Sequence, residues 1–389
     1  MTWNQQVVKA NNKQYILQMI KAQAPISRAE IAKQLGLTKG TVSSLVSELI
    51  DANLCYESGP GESSGGRRPV MLLFNGKAGF SIGINIGVNY ILGILTDLNG
   101  EIISEQKKTI NKGTYEEVMK IVSQIIHYLI GSKPDSHYGV IGIGVGVPGI
   151  VNKEEEVLLA PNLGWKNINL KKELEKEFNL PVIIENEANA GAYGEKVFGA
   201  GRETDNLIYL SASIGIGVGF IFNNQLYRGA EGYSGEMGHM IIEANGKDCT
   251  CGSQGCWEQY ASEQSLLKSA QALLQSKSDI TLEYLIEEAK TSQEIRALFT
   301  KIGHYLGIGI NNISNTFNPE QIIIGNRLAM AKDLLMDSIT GFVKSNTLKH
   351  SRSSLEIQFS DLSIYSSALG VSAQTIEAFL ANTLFEQTN

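Results

Sequence analysis

The sequence reads as an α/β protein: a small helical unit closed by a β-hairpin, then a long body in which strands and helices alternate. Two observations predict this. Apolar residues at helical spacing fill the N-terminal stretch and give way near Gly76 to short, glycine-rich β runs. After that point a strand, hairpin and crossover order occurs twice, which predicts mixed sheets with helices on their faces. With 389 residues, 43% of them hydrophobic, the chain can bury two or three cores. The expected units are residues 1–76, a first lobe over 77–185 completed by a C-terminal helix at 366–384, and a second lobe over 186–365.

In the first unit, Val8, Tyr15, Ile16, Met19 and Ile20 predict a helix over residues 4–22, which Pro25 ends. Ser27 and Glu30 are spaced as a capping box for a second helix, and Gly36 stops it in a tight turn. Thr38 can cap a third. Ala32, Gly36, Val42 and Leu45 sit where a helix-turn-helix needs small or apolar residues. The exposed side of the third helix would then carry Lys39, Gly40, Thr41, Ser43, Ser44 and Ser47, polar groups able to approach phosphates and base edges.

Residues 54–58 and 70–74 read as strands joined by a glycine-rich loop, which makes a wing. Its Gly66-Arg67-Arg68-Pro69 resembles the short Gly-Arg-Pro hooks that lay arginines in the narrow minor groove of A·T-rich DNA. Charge agrees with this. Residues 1–76 carry +3 within a chain of net charge −7, which leaves the remainder at −10. A basic end on an acidic body directs a polyanion to the N-terminus, and operator DNA is the expected partner.

The body opens with a predicted meander over residues 80–87, 90–96 and 101–104. A helix over 115–130, a strand over 139–147, a helix over 170–178 and a strand over 181–184 follow. The second copy restarts with strands at 206–210 and 218–222. Helices at 265–274 and 302–316, a strand at 321–324, a helix at 328–342, a strand at 355–359 and a last helix at 366–380 complete it.

Within the second copy His239, Cys249, Cys251 and Cys256 follow the spacing H-x9-C-x-C-x4-C. One imidazole and three thiolates fill a tetrahedral shell, so the expected cofactor is zinc in a closed, structural site. The fourth cysteine, Cys55, is remote, so no disulfide framework is expected and the compartment should be reducing. Neither a signal-peptide layout nor a membrane-length apolar run is legible, which predicts a cytoplasmic protein without a membrane partner.

The run Glu236-Met-Gly-His239, followed by Cys249-Thr-Cys251-Gly-Ser-Gln-Gly-Cys256-Trp-Glu258, resembles the signature of the ROK family of sugar kinases and sugar-responsive repressors. The resemblance implies a two-lobed, actin-like sugar-kinase fold with ligand between the lobes. It also implies that Glu236, His239 and Glu258 bind sugar hydroxyls, His239 serving the metal as well. Glu185-Asn186-Glu187 lies at a strand end where such folds gather ligands. In the family's kinases the matching pair is Asn-Asp, the asparagine on sugar and the aspartate as base. Asn186 carries over, and Glu187 is one methylene longer.

Compared with those kinases, the phosphate-handling positions depart together. Asn85-Ile-Gly87-Val88-Asn89 stands for Asp-x-Gly-Gly-Thr, Ser213-Ile214-Gly215 for Gly-Thr-Gly, and Gly325-Asn326 for Gly-Gly. A neutral amide cannot organise magnesium, and a branched side chain occupies a position that needs none. No enzyme activity is expected. The expected function is a homodimeric or larger repressor, released from its operator by a small sugar, xylose on this resemblance. Open alternatives are an active sugar kinase fused to a DNA-binding unit, and a repressor answering another sugar, a sugar phosphate or a transport-system protein.

Overall fold

The computed structural model describes residues 5–60, 69–110, 113–275 and 280–386. The first unit has helices α1 (Gln5–Gln23), α2 (Arg28–Leu35) and α3 (Lys39–Asp51). Both helix starts are capped as expected: Ser27 accepts from the Glu30 amide and Thr38 from the Thr41 amide. Gly36, at φ 66°, ends α2 in the left-handed conformation. The strands β2 (Cys55–Pro60) and β3 (Val70–Phe74) pair antiparallel. A two-residue strand, β1 (Ile26–Ser27), adds to β3 and was not expected. Ile16, Ile20, Ile31, Val42, Val46, Leu49 and Leu72 close the core around these elements.

The first lobe's sheet runs in the order β11-β7-β4-β5-β6, built from β4 (Phe80–Ile86), β5 (Tyr90–Asp97), β6 (Ile102–Thr109), β7 (Val140–Val147) and β11 (Val182–Asn186). Helices α4 (Tyr115–Ser132) and α5 (Leu170–Phe178) accompany it. A small sheet of β8 (Ile150–Val151), β9 (Val157–Ala160) and β10 (Trp165–Ile168) projects from this lobe. Its strands are two to four residues long, too short to carry an alternating pattern, which is why the sequence did not announce them.

After the crossing helix α6 (Glu187–Val197) the pattern repeats. The second sheet runs β14-β13-β12-β15-β16, with β12 (Leu207–Ala212), β13 (Ile216–Phe222), β14 (Gln225–Tyr227), β15 (Gln321–Gly325) and β16 (Glu356–Phe359). In each sheet the first strand pairs parallel with the fourth and antiparallel with the second, so the two have the same topology. The helices are α7 (Glu258–Ala261), α8 (Glu263–Leu274), α9 (Leu282–Glu288), α10 (Gln293–Phe317), α11 (Lys332–Asn346) and α12 (Lys349–Ser353). Ser292 caps α10, so that helix begins well before the expected residue 302.

The last helix, α13 (Ser366–Glu386), lies on the first sheet and against α6. The approach is backbone to backbone: a Cβ on Gly370 would stand 1.7 Å from the Ala190 carbonyl oxygen. Further along, Ile376 and Leu384 enter the core of the first unit, so one helix touches both the sheet and the helix-turn-helix. Tyr138 OH donates to the Ala52 carbonyl at 2.7 Å across the same joint.

Candidate functional site

Between the lobes lies a small cavity of about 100 Å³. All five residues expected to meet sugar, Asn186, Glu187, Glu236, His239 and Glu258, line it. They come from three places. Asn186 and Glu187 stand where β11 hands over to α6, Glu236 and His239 bracket a single helical turn, and Glu258 opens α7. A larger cavity, about 760 Å³, sits elsewhere among α1, α13 and β14. The smaller one is the candidate site because polar groups converge on it.

The chemistry of each group follows from its partners. Asn186 Oδ1 caps α6 by accepting from the amides of Ala188 (2.8 Å) and Asn189 (3.1 Å), while its Nδ2 donates to Gly149 O at 2.7 Å. Capping thus fixes the side chain and leaves one N–H. Glu187 Oε1 accepts from Asn85 Nδ2 at 3.2 Å and Asn326 Nδ2 at 2.9 Å. Burial holds Glu187 above the ordinary carboxylate range despite these two donors. Burial raises Glu236 as well, with His239 opposing the shift; their closest approach is 3.9 Å, from Nε2.

The other face of the imidazole turns to the thiols. His239 Nδ1 is 3.6 Å from Cys249 Sγ, and Cys251 Sγ is 3.7 Å from Cys256 Sγ. All four donor atoms lie within 4.8 Å of one another. A tetrahedral ion with metal–sulfur bonds of about 2.3 Å sets its sulfurs about 3.8 Å apart, so the donor set fits a single ion in both spacing and chemistry. Glu258 Oε1 accepts from Cys249 at 3.3 Å, which ties the cleft carboxylate to the cluster.

Several cleft residues were not anticipated. Asn162 reaches it from the tip of the β9–β10 hairpin, Ser211 from the end of β12 and Thr250 from the cysteine loop. A signal existed for the first. Pro161-Asn162-Leu163-Gly164 is turn chemistry, and Gly164 takes φ 71°.

On the helix-turn-helix, Lys39, Gly40, Thr41, Ser43, Ser44 and Ser47 form the exposed side of α3, while Val42, Leu45, Val46 and Leu49 are buried. Two hydroxyls already have local partners: Thr41 Oγ1 meets Thr38 Oγ1 at 2.9 Å, and Ser47 Oγ donates to Ser43 O at 3.0 Å. Arg67 and Arg68 lie outside the described residues. Among the described residues, no helix is long and apolar enough to cross a membrane.

Comparison with known proteins defines the class. The ROK family profile matches residues 81–377 and a winged helix-turn-helix DNA-binding profile residues 12–54; the chain belongs to the ROK family. Within it, the chain is 48% identical to the Xylose repressor of Bacillus spizizenii over 97% of its own length and 98% of the relative's. It is 46% identical to the Xylose repressor of Bacillus subtilis over the same shares. A solved ROK family transcriptional regulator, homologous to the Mlc protein of E. coli, superposes with a TM-score of 0.82 at 29% identity, covering 98% of both chains. A ROK family glucokinase from Streptomyces griseus, solved with glucose and AMPPNP, superposes at 0.70 and 28% identity over 76% of this chain and 98% of its own.

Proposed function

We propose that the chain is a DNA-binding transcriptional repressor of xylose-utilisation genes, released from its operator when xylose occupies the cleft. One observation carries the reading: five polar side chains converge on the cavity while the positions that would handle phosphate hold Asn85, Val88 and Ile214. Full-length likeness to the two Bacillus repressors supports xylose as the sugar. The glucokinase likeness covers 76% of this chain, whereas the likeness to the regulator covers 98%. The protein is a regulator and not a phosphotransferase.

On this reading residues 1–76 read DNA, with Lys39, Thr41, Ser43, Ser44 and Ser47 toward the major groove and Arg67 and Arg68 in the minor groove. The lobes are residues 77–185, completed by 366–384, and 186–365. Two copies would place two α3 helices on half-sites related by a two-fold axis. Asn186, Glu187, Glu236, His239 and Glu258 bind the sugar hydroxyls. Zinc, held by His239, Cys249, Cys251 and Cys256, would pin the loop as a closed structural site and leave no position for water chemistry. The loop then presents Glu236, His239 and Glu258 at fixed distances to the polyol.

Release follows from linkage. If xylose binds the non-DNA geometry better, it weakens DNA affinity by the factor by which DNA weakens xylose affinity. A gel shift on xylose-gene promoter DNA tests this: retention without xylose and release with it are expected, and release by a sugar phosphate alone would overturn it. An ADP-release assay with xylose, glucose and N-acetylglucosamine should stay at background.

A further inference from the structure

The floor of the cleft is closed by side chains far apart in sequence. Asn85 lies near the end of β4 in the first lobe, Asn326 follows β15 in the second, and Glu187 opens the helix between them. One carboxylate oxygen, Glu187 Oε1, accepts from both amides, at 3.2 and 2.9 Å. Tyr90 completes the ring: its hydroxyl accepts from Asn85 Nδ2 at 3.0 Å and donates to Asn326 Oδ1 at 3.4 Å. Asn326 Nδ2 also donates to Ser211 Oγ at 3.0 Å.

Asn326 holds this place against a backbone preference. Its φ of 63° with ψ of −153° belongs to glycine territory, yet the residue is an asparagine, 4% exposed, with its whole amide engaged. Asn85 is 1% exposed. A carboxylate at either position would face Glu187 with like charge, whereas each amide donates to it.

We propose that Asn85 and Asn326 are positioning residues which clasp Glu187 from the two lobes, aiming its carboxylate at the sugar and locking the lobes in the closed arrangement. The aim toward sugar rests on the function proposed above, whereas the lock does not. Two neutral amides thereby occupy the junction that a metal-dependent phosphotransferase would need for charge. Breaking it should favour open lobes and make sugar binding bear the cost of closure.

Asn326→Gly is the discriminating variant, because glycine accepts the backbone conformation while deleting every side-chain contact. The expected results on the full-length, metal-replete protein are a larger radius of gyration by X-ray scattering without sugar, and xylose affinity by calorimetry lowered about tenfold. The melting temperature should barely move. In a Glu187→Ala background, Asn326→Gly should cause no further loss, and Glu187→Gln, which keeps the accepting oxygen, should keep the wild-type radius. An unchanged radius and affinity in Asn326→Gly, or an equal loss in both backgrounds, overturns the clasp. If the wild-type protein does not bind xylose, the proposed function falls and the scattering comparison still decides the lock.

Discussion

Arg228, just past β14 in the second lobe, holds Glu185 of β11 in the first, with Nη2 at 2.7 Å and Nε at 2.8 Å from the same carboxylate oxygen. The Glu185 side chain is 7% exposed. Its other oxygen accepts from the Asn186 amide and from Asn189, and Gln374 of α13 reaches the arginine's oxygen at 3.4 Å. One carboxylate thus gathers both lobes, the strand leading into the cleft, and the helix that runs on to the helix-turn-helix.

Removing the guanidinium leaves that oxygen with a single long contact. Arg228→Ala should therefore destabilise the protein by about 1–3 kcal/mol, less than a fully buried pair because the arginine is half-exposed. Urea unfolding followed by circular dichroism measures it. An unchanged midpoint would mean that solvent already satisfies Glu185.

Much of this architecture is legible in the sequence. Ser27, Gly36 and Thr38 announce the first unit because caps and turns are local chemistry, and the cysteine spacing announces the cluster for the same reason. What could not be read lies between distant residues. Asn85 and Glu187 are 102 positions apart, and Glu187 and Asn326 are 139 apart, so their meeting depends on how two sheets face each other. Arg327 is a related case. It lies in a helical turn of its own, ahead of α11, its guanidinium fixed by Glu263 at 2.9 Å and Glu283 at 3.0 Å. Periodicity sees neither partner.

The cluster of His239 and three cysteines gives a second prediction. One zinc per chain should be found by atomic absorption, and Cys256→Ser should abolish it, since Cys256 is fully buried among the donors. Chelation should lower the melting temperature by roughly 10 °C, the shift expected when an ion present near a thousand times its Kd is lost from a lobe of this size. Operator affinity without sugar should change less than xylose affinity, because the loop faces the cleft and not α3.

Binding to DNA should be steeply salt-dependent, because the first unit carries a net positive charge on an otherwise net-acidic chain. Lys39→Ala should weaken operator binding evenly across sequences and reduce the salt slope by about one. Replacing Arg67 and Arg68 by alanine should instead erode the preference for A·T-rich flanks. Fluorescence anisotropy at several ionic strengths separates the two effects. A Lys39→Ala slope equal to wild type would remove that residue from the phosphate contacts.

Glu187 yields a prediction in pH. Burial raises its pKa in the folded protein above the ordinary carboxylate value, with the two amide donors only opposing the shift. Between the unfolded and folded pKa values the folded state binds the extra proton, so stability falls as pH rises through that window. Below the window both states are protonated and the group contributes nothing further. Glu187→Gln keeps an oxygen for Asn85 and Asn326 and removes the charge, so it should melt with the wild type at acidic pH and above it at neutral pH. Glu236 and Glu263 are also raised by burial, but they are common to both proteins and cancel in the difference. A wild type that instead melts above Glu187→Gln at neutral pH, the two again meeting in acid, would mean that the carboxylate is stabilised by its two amides more than burial disfavours it, and the clasp would then depend on the charge itself.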